Sequence, residues 1–447
     1  MNTENNTNPP PTKVSFLEKN ATFLKTILIF ILLAILTIPQ NMVNSLIWER
    51  QSNKSTAQYE VSQKWGDQQT IIGPIVSVPY VEFYREDTSK SFQKVIKFAH
   101  FLPEELSIKS ELFPEKRHRS IYEIIVYTSK MHFEGYFDRF NVASLGVPKE
   151  NILWNYASLS VGINDLRGIE EQVEMNWNNQ KILFNPGMES NDVIGNGVSS
   201  KVPIKAYTDT TSKRYSFSFD LILKGSDNLN FVPVGKVTNV NMVSAWPSPK
   251  FDGAFLPDTN TVSANGFTAN WKLLHVNRNF PQYWLGSMSL YQASFGVNLL
   301  LQIDNYKQSD RAVKYSFILI SLTFAMFFFI EMLNKRKIHP FHYILVGLGL
   351  CLFFTLLISI SEHLAFSYAY IIAMMMTVGL IYWYTNSILN DPKLSKMVAA
   401  VLGLLYLFVF VIVQLEDYAL LVGSFGLFAA LATIMHFSRK IDWYGNE

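Results

Sequence analysis

Apolar residues are unevenly distributed along this chain. A helix needs roughly 20 mostly apolar residues to cross a hydrocarbon core about 30 Å thick. Six stretches meet that demand: Phe23 to Val43, Ala312 to Ile330, Tyr343 to Ile360, Phe366 to Tyr384, Met397 to Val413 and Tyr418 to Phe437. Polar residues or interfacial aromatics, such as Trp48, Tyr315, Tyr343, Trp383 and Tyr384, bound them. The region between the first two stretches follows a different period. Ile71-Ile-Gly-Pro-Ile-Val-Ser-Val-Pro-Tyr80, Ser120-Ile-Tyr-Glu-Ile-Ile-Val-Tyr127, His132-Phe-Glu-Gly-Tyr-Phe137 and Tyr215-Ser-Phe-Ser-Phe-Asp-Leu-Ile-Leu223 are β-branched or aromatic runs, several alternating with period two. Turn residues separate them, at Gly187, Asn196-Gly197, Gly225-Ser-Asp-Asn228, Pro247-Ser-Pro249 and Asn265-Gly266. The pattern predicts a membrane protein: an α-helical transmembrane bundle of six spans, arranged one plus five, with a large β-rich domain over residues 44–311 inserted between spans one and two.

Within that insertion a β-sandwich-like fold is expected, with one short linker helix near Gln51 to Trp65. A faint internal echo suggests two related subdomains with a boundary near residues 185–235. Phe101-Leu-Pro103 and later Ala157-Ser-Leu-Ser-Val161 in the first half resemble Phe255-Leu-Pro257 and Ala293-Ser-Phe-Gly-Val297 in the second. Coincidence stands as the alternative, because the spacings differ.

The first stretch reads as an uncleaved signal anchor. Lys13, Lys19 and Lys25 precede it, but Pro39-Gln-Asn-Met-Val-Asn-Ser45 offers no small-x-small cleavage site, and Pro39 is expected to kink or end the helix. Basic residues then set the orientation. Lys335-Arg-Lys337, Lys393 with Lys396, and Arg439-Lys440 fall on one side, whereas Ser361-Glu-His363 and Gln414-Leu-Glu-Asp417 on the other carry no Lys or Arg. Both termini are therefore expected in the cytoplasm and residues 44–311 outside. Met1 to Thr12 is rich in Asn, Thr and Pro, and residues 1–22 are expected to form a disordered cytoplasmic segment; residues 438–447 form a cytoplasmic tail.

Composition agrees with a membrane assignment. Charged residues make up 17% of the 447, below the roughly 25% of soluble domains, and 49% are hydrophobic. The net charge of +2 gives no global reason to expect a nucleic-acid partner. The one cysteine, Cys351, excludes an intramolecular disulfide framework and a thiolate zinc site.

The chemistry-bearing motifs are few. There is no GxSxG, HExxH or phosphate loop, and Gly195-Asn-Gly197 is better read as a turn than as a dinucleotide site. Asp138, Asp165 and Glu170 are the kind of carboxylates every soluble domain carries. The span centres hold only weakly polar Ser321, Thr323, Cys351, Thr355, Ser359 and Thr377, which counts against a proton or ion path. Ionisable residues sit at span ends. Glu331, beside a basic loop, is expected to form an interfacial ion pair. Glu362 and His363 read either as a proton-sensitive or metal-touching pair or, more plainly, as a helix-end cap. His339 and His342 bracket Pro340 and are read as loop polarity before metal binding. Asp310 is expected to cap the start of span two, with Arg311 reaching lipid phosphates, while Trp443 beside Asp442 anchors the last helix or docks a partner. No catalytic, cofactor-binding or metal residue is predicted.

These residues add up to a likeness. Gly73-Pro-Ile-Val-Ser-Val-Pro79, Phe101-Leu-Pro-Glu-Glu-Leu106, Asp165-Leu-Arg-Gly168, Trp246-Pro-Ser-Pro249 with Phe255-Leu-Pro257, Gly266-Phe-Thr-Ala-Asn-Trp271, Ser309-Asp-Arg-Ala-Val-Lys-Tyr315, His339-Pro340, Ser361-Glu-His363 and Ile441-Asp-Trp-Tyr444 follow one another in an order that resembles the CreD family of inner-membrane cell-envelope integrity proteins. The resemblance implies an inner-membrane protein with a large periplasmic insertion, linked to envelope stress and colicin tolerance, and brings no active site with it. Two departures are the Asn/Pro-rich N-terminal extension and a sequence that stops soon after Tyr444, so no C-terminal tail function is expected. The function expected is non-enzymatic: a β domain that binds envelope protein, lipid or glycan beside the bilayer. The rival is a transporter or channel for a lipid-like or small amphipathic substrate.

Overall fold

The apolar stretches become long helices because, without water, a backbone must satisfy its own hydrogen bonds. The computed structural model describes residues 21–85, 92–138, 140, 145–204, 214–299, 305–334, 338–415 and 418–441. The chain divides into a sheet unit, Lys54–Gln302, and a helix unit built from the segments before and after it. Helix α1 is Ala21–Trp65; α2 is Asn305–Lys314; α3, Ser316–Leu333; α4, Pro340–Ser361; α5, Phe366–Leu389; α6, Pro392–Gln414; α7, Ala419–Ser438. Among the described residues six of these, all but α2, are long and apolar enough to span a membrane.

Two details differ from the sequence reading. Pro39 does not end α1, which runs on unbroken to Trp65 and absorbs the linker helix expected from Gln51. Ser309-Asp-Arg311 does not lead directly into span two either. It lies inside the separate helix α2, whose Tyr306, Ser309, Ala312 and Val313 are buried, and span two starts only after Tyr315. The strongly polar outer face of α2 hid it from a search for apolar runs. Punctuation elsewhere follows local chemistry. The His339 side chain accepts Phe341 N–H and Asp391 accepts Lys393 N–H, each with proline as the first helical residue. Asn390 adopts the left-handed conformation after α5.

The sheet unit contains β1 (Gln69–Arg85), β2 (Phe92–Phe101), β3 (Glu105–Arg119), β4 (Tyr122–Phe137), β5 (Ser158–Ile163), β6 (Glu174–Trp177), β7 (Gln180–Leu183), β8 (Asn185–Pro186) and β9 (Gly197–Lys201). It continues with β10 (Tyr215–Ser226), β11 (Asn228–Phe231), β12 (Val237–Ser244), β13 (Pro249–Gly253), β14 (Thr259–Ser263), β15 (Gly266–Leu274), β16 (Tyr283–Leu285) and β17 (Phe295–Leu299). One sheet runs β13, β17, β11, β1, β5, β9, β8, with β2 on the later part of β1 and β16 on β2. The other runs β14, β15, β12, β3, β4, β10, β6, β7. Gly73 lets β1 approach β5: its φ is +129°, and a Cβ there would stand 2.9 Å from the Ser160 carbonyl oxygen. The register of the pair shifts across it, between Ile72 and Ile75.

The core lies between the sheets. Phe251 of β13 and Phe295 of β17 pack on Trp271 of β15, with ring centroids 5.9 and 5.5 Å from it. The end of α1 docks on this unit, where Trp65 Nε1 donates to the Tyr127 carbonyl at 3.2 Å and its ring lies against Arg117 and Lys224. The internal echo has a structural counterpart. Each Phe-Leu-Pro leads into a hairpin, β3–β4 or β14–β15, and each Ala-Ser leaves a 3-10 turn to enter β5 or β17. The halves do not part at residues 185–235, however, because both sheets draw strands from either side and one core serves both.

Candidate functional site

A polar cleft of about 600 Å³ opens on the sheet unit, assembled from four segments distant in sequence. Asp67 and Gln68 lie in the turn between α1 and β1. Asn164, Asp165 and Arg167 follow β5 through a 3-10 turn, Gly195 and Asn196 enter β9, and Tyr291 opens the turn before β17. The floor is fixed. Arg167 Nε and Nη2 each donate at 2.9 Å to one oxygen of Asp165. Those oxygens also accept the backbone N–H of Arg167 at 3.1 Å and of Asp67 at 3.0 Å. Arg167 Nη1 is held in turn by the carbonyl and side-chain oxygens of Gln63, at 2.6 and 2.9 Å. Burial by itself raises the Asp165 carboxyl, but the Arg167 guanidinium and these N–H groups outweigh it and keep it below the usual carboxylate range. The rim is looser. Asn164 Nδ2 reaches the Gln68 carbonyl at 3.4 Å, Tyr291 Oη reaches Asn164 Oδ1 at 3.5 Å, and Asn164, Asn196 and Tyr291 are exposed.

A second constellation invites a catalytic reading. Ser77 Oγ lies 2.9 Å from His100 Nδ1, and His100 Nε2 lies 3.4 Å from Asp192 Oδ2. A nucleophile needs access to substrate, however, and Ser77 and His100 are 5% and 1% exposed, paired across β1 and β2 with the Trp284 ring centroid 5.4 Å from the imidazole. Burial pushes the His100 pKa down while Asp192 pulls the other way. The arrangement fits a buried strand-to-loop link better than a hydrolytic site.

In the helix unit two carboxylates, buried Glu331 and half-buried Glu362, sit near opposite ends of α1's apolar run. Glu331 pairs with Lys25 and accepts Ile338 N–H at 3.0 Å and the Tyr343 hydroxyl at 3.3 Å. Glu362, capping the end of α4, pairs with Arg50 at 3.2 Å and accepts the Tyr306 hydroxyl at 3.4 Å. Lys25 and Arg50 lie on one helix, about 37 Å apart at 1.5 Å per residue, close to a hydrocarbon thickness plus its edges. Each end of the first span is thus tied to the bundle by a carboxylate from another helix.

The sequence-derived candidates land as follows. Asp310 is not a helix cap; it sits within α2 and pairs with Lys314 one turn on, at 2.8 Å. Arg311 is half-buried on the same helix. His339 caps α4, its ring 6.4 Å from that of His342, whose Nδ1 lies 2.8 Å from the Tyr384 hydroxyl. Glu362 is the helix-end contact just described, and the neighbouring His363 is exposed. Asp442 and Trp443 lie outside the described residues. The cleft was missed because its parts are far apart in the chain; Asp165-Leu-Arg-Gly168 was its one local signal.

Compared with known proteins, residues 21–444 match the family model described as "Inner membrane protein CreD". The chain is also 31% identical over 431 residues to the Inner membrane protein CreD of Escherichia coli strain K12, covering 95% of this chain and 94% of that protein.

Proposed function

The chain belongs to the CreD family of inner membrane proteins, and on that premise we propose that it is a non-enzymatic component supporting cell-envelope integrity, whose sheet unit lies in the periplasm and binds envelope material. The observation that carries the proposal is the sheet unit itself: a body with its own two-sheet core, joined at both ends to membrane-spanning segments. That connectivity suits holding or sensing something close to the bilayer. The charge bias supports the orientation, since Lys393, Lys396, Arg439 and Lys440 gather opposite the Glu362 end. The helix unit supports a non-pumping role, because its carboxylates Glu331 and Glu362 are tied to cations at span ends rather than placed mid-span.

Photo-reactive residues placed across 54–302 in intact cells, with protease accessibility as the orientation control, test this reading. Discrete adducts with envelope material and cleavage only from the periplasmic side are expected. A unit cleaved only from the cytoplasmic side, or a deletion of 54–302 that leaves envelope phenotypes unchanged, contradicts it.

One feature favours a second reading. An apolar groove of about 630 Å³, lined by Pro39, Met42 and Leu46 of α1 and by Leu345, Leu352 and Leu380, is open to a lipid-like molecule. Transport predicts that substitutions to Trp in this groove block movement of a fluorescent phospholipid in proteoliposomes. Unchanged movement removes the reading.

A further inference from the structure

We propose that the Asp67–Asn164–Tyr291 cleft binds a saccharide ring of an envelope glycan. The inference rests on the reading of the sheet unit as a body that binds envelope material, and it names the ligand class.

A sugar presents hydroxyls that donate and accept in neighbouring pairs, above a ring whose C–H face is apolar. The cleft offers the complement. Asn164 and Asn196 each carry a donor and an acceptor at the exposed rim, the Asp67 side chain is acceptor-only, and Tyr291 supplies an exposed aromatic face with a hydroxyl at its edge. Beneath them the Asp165–Arg167 pair cannot rotate, because both carboxylate oxygens and three guanidinium nitrogens are already bonded within the protein. Such a floor keeps the rim in place before ligand arrives and limits the ordering cost of binding. The long rim contacts, 3.4 and 3.5 Å, are weak enough for a hydroxyl to replace.

Other ligand classes fit less well. Asp67 and Asp165 against Arg167 leave the lining one charge negative, which disfavours phosphate and carboxylate groups, and the guanidinium they would need is committed to Asp165. A metal ion would have to take Asp165 oxygens away from four N–H donors, and among the described residues no three His, Cys, Asp or Glu side chains are grouped to hold one. An apolar peptide would find a single aromatic among polar neighbours.

The full chain in phospholipid nanodiscs, free of sugar-headed detergent, is the sample to use. Saturation-transfer NMR with chitotetraose and maltotetraose as neutral probes is expected to show transfer to ring protons, and the anionic control 3′-sialyllactose to show less. Tyr291→Ala and Asn164→Ala are each expected to weaken binding about tenfold, the scale of one lost stacking or hydrogen-bond contact. Tyr291→Phe should keep most of it, and melting of all three variants should match the parent, since both positions are exposed. No transfer from either neutral sugar, or transfer unaffected by Tyr291→Ala and Asn164→Ala, overturns the proposal. If crosslinked adducts form in cells while neither sugar binds, the ligand class is wrong and the binding reading stands. If neither adducts nor sugar binding is found, both fall.

Discussion

The sheet unit and the helix unit use the same apolar side chains in opposite ways. In the sheet unit Trp271 is 2% exposed and sits between layers, while outer-face positions such as Asn241 and Asn270 bond each other across strands at 2.6 Å. In the helix unit Phe428 of α7 is 73% exposed and α7 buries no residue at all, whereas the buried positions include Glu331. The contrast follows from two solvents. Water drives apolar residues inward and rewards a polar exterior, but lipid gives an apolar side chain nothing to escape from and makes an unpaired charge expensive.

Substitutions that differ only in their solvent probe this contrast most strongly. Trp271→Ala is expected to destabilise the sheet unit by about 3–5 kcal/mol, the range for emptying a large aromatic site. Phe428→Ala should change helix-unit stability by no more than about 0.5 kcal/mol, as an exposed position. Near-ultraviolet circular dichroism melts in nanodiscs check both, and similar losses from the two would break the comparison.

Removing one buried carboxylate comes next. Glu331→Ala leaves Lys25 without its anion and is expected to cost about 3 kcal/mol, whereas replacing both partners with Leu and Met should cost far less. Equal losses from the single and double variants would show that the pair itself, not the unpaired charge, sets stability.

Arg278 is a buried cation inside the sheet unit. It is 9% exposed and lies 4.3 Å from the Phe280 ring centroid; its Nη2 bonds Gln282, but among the described residues Nε and Nη1 have no hydrogen-bond partner. Burial lowers its pKa to about 10, so it stays charged at neutral pH. Arg278→Met is expected to raise the midpoint by about 2–4 °C, the response to roughly 1 kcal/mol in a domain of this size. A fall in the midpoint would show that its existing contacts outweigh the buried charge.

The smallest expected effect concerns pH. His100 has its pKa lowered in the folded state, so the unfolded chain binds the extra proton first. Its contribution is fully present above the unfolded value near 6.5 and is lost as pH falls from there through the folded pKa. Asp227 works in the opposite sense: burial raises its pKa against the hydrogen bonds from Gln58 and Gln68, so it favours folding more as pH falls. Replacing His100 by Gln should therefore flatten the loss between pH 7 and 5. An unchanged slope would move the effect to another group.

Much of this was legible in the sequence. Six spans and the β-rich insertion followed from hydropathy and period-two alternation, and the ion pair expected for Glu331 at a span end is present, with Lys25 as its partner. What escaped lacked a local signal. Helix α2 is too polar to register as a span, and α1 passes Pro39 although a proline predicts an end. Asn164, Asn196 and Tyr291 meet only because β1, β5, β9 and β17 lie near one another in one sheet. His100 and Asp192 come together for the same kind of reason, through long-range pairing that no window of residues contains.

Site-directed labelling tests whether the sheet unit stands outside the membrane that the helices span. With the single native Cys351 buried, cysteines introduced at exposed Asn265 and half-buried Asp391 can be treated in spheroplasts with a membrane-impermeant maleimide. Position 265 is expected to label at once and position 391 only after permeabilisation. Labelling of 391 but not 265 before permeabilisation would contradict that placement.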